Sequence, residues 1–126
     1  MDYLATHPTA MLHYYASVMV LNIHSDASYA SERGAKSGVK VHYFLRWKPR
    51  ENAPICLNGA IYTLSNIMKS VASSAADAEL GAHFVNAKAG RIIRLTLKEL
   101  GHPQLPTPMN CNNATASGIA NGSVKR

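Results

Sequence analysis

Alternation of apolar and polar side chains predicts the first strand of this chain. From Val18 to Asp26 one face of the pattern is apolar, whereas the other face carries Asn22, His24 and finally Asp26. A period of two residues indicates a strand that buries one face. We therefore predict a strand over Val18–Asp26, with Asp26 at its end, where the carboxylate can face a shared site.

Two further strands are predicted before the middle of the chain. The run from Val39 to Trp47 is rich in β-branched and aromatic residues, and a third run extends from Ile55 to Tyr62, interrupted at Asn58-Gly59. Gly34 and Gly38 lie in a polar segment that predicts a loop or hairpin between the first two strands. Such short connections predict an antiparallel meander.

A long helix is predicted over residues 75–100. Ser74 is the expected N-cap, with Asp77 three residues later as its partner, and Gly101 is the expected C′ residue. Gly90 leaves room for a kink or a break within this helix. Apolar residues recur at helical spacing, and we expect this stripe to cover one face of a sheet. Its members are Leu80, Phe84, Ala87, Ile93, Leu97 and Leu100.

After a proline-rich connector, Met109–Cys111 predicts a short fourth strand and Asn113–Asn121 a short helix. The predicted fold class is therefore α/β with the order β-β-β-α-β-α. A crossover helix would place the fourth strand parallel to the first. Asp26 and Asn112 should then lie side by side, with Glu79 of the long helix above them.

Asp26 and Glu79 are the candidate ligands of a metal ion. Carboxylates on neighbouring strand and helix ends are a common way to build a magnesium site for phosphoryl chemistry. The chain has 7 acids, and none follows Glu99, so Asn112 can offer only an uncharged oxygen. The alternative is that Asp26 is a turn residue and Glu79 a surface acid favoured by the helix dipole. Neither acid alone indicates a metal site, but the two together favour one.

Positive charge predicts a polyanionic partner. The chain has 13 Lys and Arg residues against 7 acids, a net charge of +6. This surplus favours nucleic acid first and an anionic membrane surface second, and a merely basic domain is the alternative. A stripe on the long helix is the best candidate for contacting phosphates, although most such stripes are solvated faces. It consists of Lys88, Arg91, Arg94 and Lys98.

Several protein classes are not expected. Cys56 and Cys111 form no CxxC motif, and we expect them to be buried free thiols in a protein of a reducing compartment. None of the 6 histidines has another four residues away, which argues against zinc. We see no apolar run of the ~18 residues that a membrane span needs and no signal-peptide pattern. We therefore expect an intracellular protein of cytoplasm or nucleus that is not secreted and has no membrane partner.

These motifs, in this order, resemble the ribonuclease H domain that follows reverse transcriptase in copia-type retrotransposon polyproteins. The matching segments are Ser25–Tyr29, the hairpin element Ser37-Gly38, Ser73–Glu79 and Cys111–Thr115. The segment Tyr3–Pro8 is similar to the connection between that polymerase and its nuclease. The resemblance implies a lead-in over residues 1–17 and a ribonuclease H-like domain over residues 18–126.

The resemblance also implies an activity, namely two-metal hydrolysis of the RNA strand of RNA/DNA hybrids with Mg²⁺ or Mn²⁺. The reverse transcriptase part of the same polyprotein would be a partner. The family's first two acids correspond to Asp26 and Glu79, the third corresponds to Asn112, and the fourth would lie beyond Arg126. We therefore expect an incomplete domain without its terminal helix, an impaired hydrolase and a weakly bound metal. The alternative is an inactive relic that at most binds nucleic acid through its basic face.

Overall fold

The computed structural model describes residues 5–47 and 57–123. These residues form an α/β fold in which a mixed sheet of four strands has the order β3-β2-β1-β4. The predicted element order β-β-β-α-β-α is confirmed. The elements are β1 (Val20–Glu32), β2 (Lys36–Arg46), β3 (Ala60–Ile67), α1 (Ala75–Glu99), β4 (Met109–Asn110) and α2 (Ala114–Ala120).

β1 and β2 form a long antiparallel hairpin. Their register runs from Val20 opposite Arg46 to Ser28 opposite Gly38, and it shifts at a bulge before Glu32. The prediction that the first strand ends at Asp26 is therefore wrong, because hairpin pairing continues beyond that residue. Asp26 lies inside β1, and its partner in the antiparallel ladder is Lys40 of β2.

The third strand starts later than predicted. Ile55 lies outside the described residues, and β3 begins at Ala60. The reason is local pairing: Asn58 Nδ2 donates to the carbonyls of Tyr15 (2.9 Å) and Leu45 (2.8 Å). Residues 58 and 59 therefore bind the lead-in segment and the end of β2, and only the following residues join the sheet. The antiparallel meander is confirmed by the pairing of β2 with β3.

Both ends of α1 are as predicted. Asp77 N–H donates to Ser74 Oγ at 3.1 Å, which makes Ser74 the N-cap. At the other end Gly101 has a φ of +87°, and His102 N–H donates to the Leu97 carbonyl at 2.9 Å. These are features of a Schellman motif, in which glycine takes a left-handed conformation at low cost.

The helix face that covers the sheet differs from the predicted stripe. Phe84 and Leu100 are exposed, whereas Ile93 and Leu97 do pack against the core. Small and polar residues dominate the covered face, and α1 is continuous through Gly90. A Cβ atom at Gly90 would lie 2.5 Å from Ile23 Cδ1, so the glycine permits a close approach of helix to sheet. The buried positions of α1 are Ala78, Glu79, Ala82, Asn86, Gly90 and Leu97.

The core lies between α1 and the central strands. Its main cluster contains Leu21, Ile23, Val41, Tyr43 and Leu97. Tyr43 of β2 is the largest side chain of this cluster and is fully buried, and its neighbour Phe44 is fully buried outside the cluster. No helix within the two described ranges is long and apolar enough to cross a membrane.

Candidate active site

The candidate site forms where one edge of β1 loses its strand partner. β4 runs parallel to β1, as predicted, but pairs with it only through Met109 and Asn110. Beyond that short ladder, side chains satisfy the backbone of β1. On one side Gln104 Oε1 accepts a hydrogen bond from Leu21 N–H at 3.0 Å. On the other side Glu79 Oε1 accepts one from Ala27 N–H at 3.2 Å.

Glu79 is a buried acid with one unused oxygen. Its side chain is 5% exposed, and Oε2 has no hydrogen-bond partner among the described residues. Burial raises the pKa of Glu79, and the nearby carboxylate of Asp26 raises it further. The Ala27 N–H and His83 act in the opposite direction. A buried carboxylate with a free lone pair is a costly arrangement unless a proton or a cation joins it.

Asp26 and Asn112 lie beside each other, as predicted. Asn112 Nδ2 is 3.5 Å from Asp26 Oδ1, a long hydrogen bond between β1 and the residues that follow β4. Asp26 is half-buried and lies opposite Lys40 in the sheet, whereas Asn112 is exposed. The structure thus brings together the three side chains that the sequence singles out, with Glu79 on the inner side and Asn112 toward solvent.

These side chains fit a single divalent cation better than two. Glu79 Oε2 is the orphaned oxygen that a cation would satisfy, and the Asp26 carboxylate is close enough to raise the pKa of Glu79. Among the described residues, no group of three or more His, Cys, Asp and Glu side chains is arranged to hold a metal ion. Two Mg²⁺ ions close together need more negative charge than two carboxylates provide.

Buried hydrogen bonds around Asn86 fix the position of α1 next to the acid pair. Asn86 Nδ2 donates to Ser25 Oγ at 2.9 Å and to the Lys40 carbonyl at 3.3 Å. The Tyr43 hydroxyl donates to the Asn86 carbonyl at 2.8 Å. These bonds hold α1 in register with β1 and β2, and so hold Glu79 beside Asp26. Sequence reasoning missed Asn86, although its place seven residues after Glu79 puts it on the same helix face.

The basic stripe is not part of this site. Lys88, Arg91 and Lys98 are exposed, and their positions lie about 100° to 180° around α1 from Glu79. Lys88 is the ninth residue after Glu79. It therefore lies about 14 Å further along the helix axis and on the opposite side of the helix. Arg94 is half-buried, and its guanidinium donates to the carbonyls of Leu105 (3.3 Å) and Gln104 (3.1 Å). Arg94 therefore stabilises the proline-rich connector, whereas the side chains of the other three cations are exposed.

The cysteines lie apart from this chemistry. Cys111 is a half-buried free thiol whose Sγ donates to the Asn113 carbonyl at 3.4 Å. Cys56 lies outside the described residues.

No protein-family model, curated protein or solved structure matches this chain. What the site can do therefore follows from the atoms that it brings together, namely two carboxylates, one amide and an unsatisfied buried oxygen.

Proposed function

We propose that this chain is a ribonuclease H-like domain of a copia-type retrotransposon polyprotein. Its activity would be metal-assisted cleavage of the RNA strand of RNA/DNA hybrids, impaired by Asn112. One observation carries the proposal: Asp26 and Glu79, far apart in sequence, interact at the edge of β1, and Glu79 keeps an unsatisfied buried oxygen there.

The topology supports this proposal. A meander of three antiparallel strands, a crossover helix and a fourth strand parallel to the first is the arrangement that the resemblance implies. Matching acids on the first strand and on the crossover helix agree with it as well. A similar fold alone does not specify an activity, so the main support for the proposed activity comes from the residues of the site.

In the proposed reaction Asp26 and Glu79 would hold the cation. A bound Mg²⁺ or Mn²⁺ would supply an activated water molecule and positive charge against the phosphate. Because burial raises its pKa, Glu79 would hold a proton to higher pH than an exposed acid, and the ion would compete with that proton. Ala27 N–H fixes one oxygen of Glu79 and leaves the other free for the ion. The half-buried Asp26 would reach both the ion and the substrate.

Asn112 explains why the activity would be weak. An amide beside Asp26 contributes no negative charge, and its Nδ2 donates to the Asp26 oxygen that a second ion would need. Binding of that second ion would therefore be opposed both by missing charge and by the amide hydrogens. The expected outcome is one weakly held ion and slow hydrolysis.

The test is cleavage of a labelled RNA/DNA hybrid in Mg²⁺ or Mn²⁺. We expect slow cleavage of the RNA strand that Asp26→Asn and Glu79→Gln each abolish, with double-stranded DNA uncut. Glu32→Gln, an exposed acid at the far end of β1, is the matched control and should leave the rate unchanged. Cleavage that survives both site substitutions would refute the proposed assignment.

A second candidate is an inactive relic that binds nucleic acid. The observation that favours it is the exposed cation set Lys88, Arg91 and Lys98, which lies apart from the acid pair. Neutralising all three should weaken hybrid binding and reduce the salt slope of log Kd by about 2 to 3, as release of counterions requires. Undetectable cleavage by the unmodified chain, together with this salt effect, would favour the relic over the hydrolase.

A further inference from the structure

The outward face of α1 is apolar, although it lies away from the sheet. Phe84, Val85, Ile92 and Leu95 are 64%, 44%, 67% and 49% exposed. They lie about 100° to 180° around the helix from the buried positions Glu79 and Asn86. A cluster of large exposed apolar side chains on one helix commonly marks a surface that another chain covers.

The spacing along this face is that of a coiled-coil seam. Val85, Lys88, Ile92, Leu95 and Glu99 follow one another at intervals of three, four, three and four residues. This is the a/d repeat of a helix that packs against another helix. The centre of the seam, Ile92 and Leu95, is apolar, and a charged residue lies on either side of it, Lys88 toward the N-terminus and Glu99 toward the C-terminus.

We propose that this face binds a second copy of the same chain, with the two α1 helices antiparallel. In an antiparallel pair, a positions face d positions of the partner. Ile92 of one copy would then face Leu95 of the other, and Lys88 would face Glu99. The twofold axis repeats each contact, so that the apolar centre lies between two pairs of opposite charge.

At the seam positions, charge favours the antiparallel pair over a parallel one. On the flank of the antiparallel pair, Arg91 of one copy would lie near Lys98 of the other, which opposes part of this gain. In a parallel, in-register pair, Lys88 would face Lys88 and Glu99 would face Glu99, which is unfavourable at both ends. Both side chains are exposed in the single chain, so each can pair without first losing a buried contact. In the single chain Lys88 Nζ lies 4.2 Å from the centroid of the exposed Phe84 ring, and pairing with Glu99 would replace this contact.

A groove beside the seam extends the same surface. Ile67, Phe84 and Val85 line a groove of about 620 Å³ between β3 and α1. In the antiparallel register the turn after α1 of the second copy, at His102-Pro103, would face Val85. The seam and the groove therefore form one continuous surface, and Glu79, on the opposite helix face, stays free in the dimer.

The test is sedimentation equilibrium of the purified chain over a wide concentration series. We expect a reversible and weak monomer–dimer equilibrium, because one helix pair buries a small interface. Ile92→Asp would bury a charge at the centre and should raise Kd at least roughly tenfold. Leu12→Asp is the control, since Leu12 is 82% exposed in the lead-in segment and lies off the seam. Equal weakening by both substitutions, or a monomer at every concentration, would overturn the proposal.

Charge exchange identifies the partner as a second copy. Lys88→Glu or Glu99→Lys alone should weaken the dimer, whereas the double variant should restore it, because each new glutamate again faces a lysine. Circular dichroism should show the same helical content in all three variants, since both positions are exposed. Failure of the double variant to recover dimerisation would contradict the antiparallel register.

Discussion

Glu79 Oε1 accepts a hydrogen bond of 3.2 Å from the backbone N–H of Ala27, the residue that follows Asp26. This bond satisfies a donor on the edge of β1 where β4 has ended, and it also ties Glu79 to the residue next to Asp26. The same contact therefore serves the sheet and the candidate metal site. Because only one carboxylate oxygen is used, the other is left buried without a partner among the described residues.

The first prediction concerns pH. Burial raises the pKa of Glu79 above its ordinary value of 4.5, and Asp26 adds to that effect. At low pH Glu79 is protonated in both the folded and the unfolded state, so its raised pKa does not change the free energy of unfolding. As pH rises the unfolded chain ionises first, and the free energy of unfolding falls until the folded-state pKa is passed. Glu79→Gln should remove this loss and be the more stable protein at neutral pH in metal-free buffer.

Urea unfolding from about pH 4 to about pH 8 with a chelator present measures this difference. Glu32→Gln, which changes an exposed acid of the same strand, should follow the unmodified protein throughout. A stability difference between Glu79→Gln and the unmodified protein that stays constant with pH would contradict the raised pKa.

The second prediction concerns metal binding without any substrate. If Asp26 and Glu79 hold one ion, Mg²⁺ at ten times its Kd should raise the free energy of unfolding by about 1.4 kcal/mol. Asp26→Asn or Glu79→Gln should each remove most of this gain, which thermal unfolding with and without Mg²⁺ would reveal. An equal gain in all three proteins would mean that the ion binds elsewhere.

The third prediction concerns Gly90 and the approach of α1 to the sheet. Gly90→Ala should gain about 1 kcal/mol of helix propensity but lose about 1–3 kcal/mol to crowding against Ile23 Cδ1. Ile23→Val removes that methyl group, so the double variant should be more stable than the sum of the two single changes implies. Denaturant unfolding of the four proteins measures the coupling, and strict additivity would contradict close contact at this position.

The fourth prediction concerns Asn86. Asn86→Ala would leave the buried Ser25 hydroxyl without its bond from the amide, at a cost of about 1–3 kcal/mol. Asn66→Ala, at an exposed position of β3, should change stability by less than about 0.5 kcal/mol. Urea unfolding compares the two. Equal effects would show that Asn86 is no more important than a surface amide.

Local patterns predicted much of this fold because they arise from local physics. The alternation up to Asp26, the N-cap at Ser74 and the glycine at 101 each reflect backbone geometry or capping within a few residues. The crossover rule then predicted that β4 is parallel to β1 and that Asn112 lies beside Asp26. The grouping of the three candidate residues could therefore be predicted from sequence.

Other features depended on tertiary contacts that no local pattern contains. The length of β1 follows from its pairing with β2, and the start of β3 follows from the bonds of Asn58 to the lead-in segment. Phe84 fits the helical repeat of a core stripe, yet the sheet is covered by the face that carries Asn86 and Gly90. Small residues allow the helix to lie close to the sheet, and apolar periodicity alone does not reveal which face does so.

In the proposed hydrolase, the amide of Asn112 limits the activity of the Asp26–Glu79 pair. The most direct measurement is the initial rate of RNA-strand cleavage in an RNA/DNA hybrid by Asn112→Asp and by the unmodified chain, in Mg²⁺. Asn112→Asp should be faster by on the order of 100-fold, because a third carboxylate adds negative charge that helps to hold the metal ions. Adding Asp26→Asn to that variant should abolish the gain. Equal rates for Asn112→Asp and the unmodified chain, whether both fast or both undetectable, would contradict this role of Asn112.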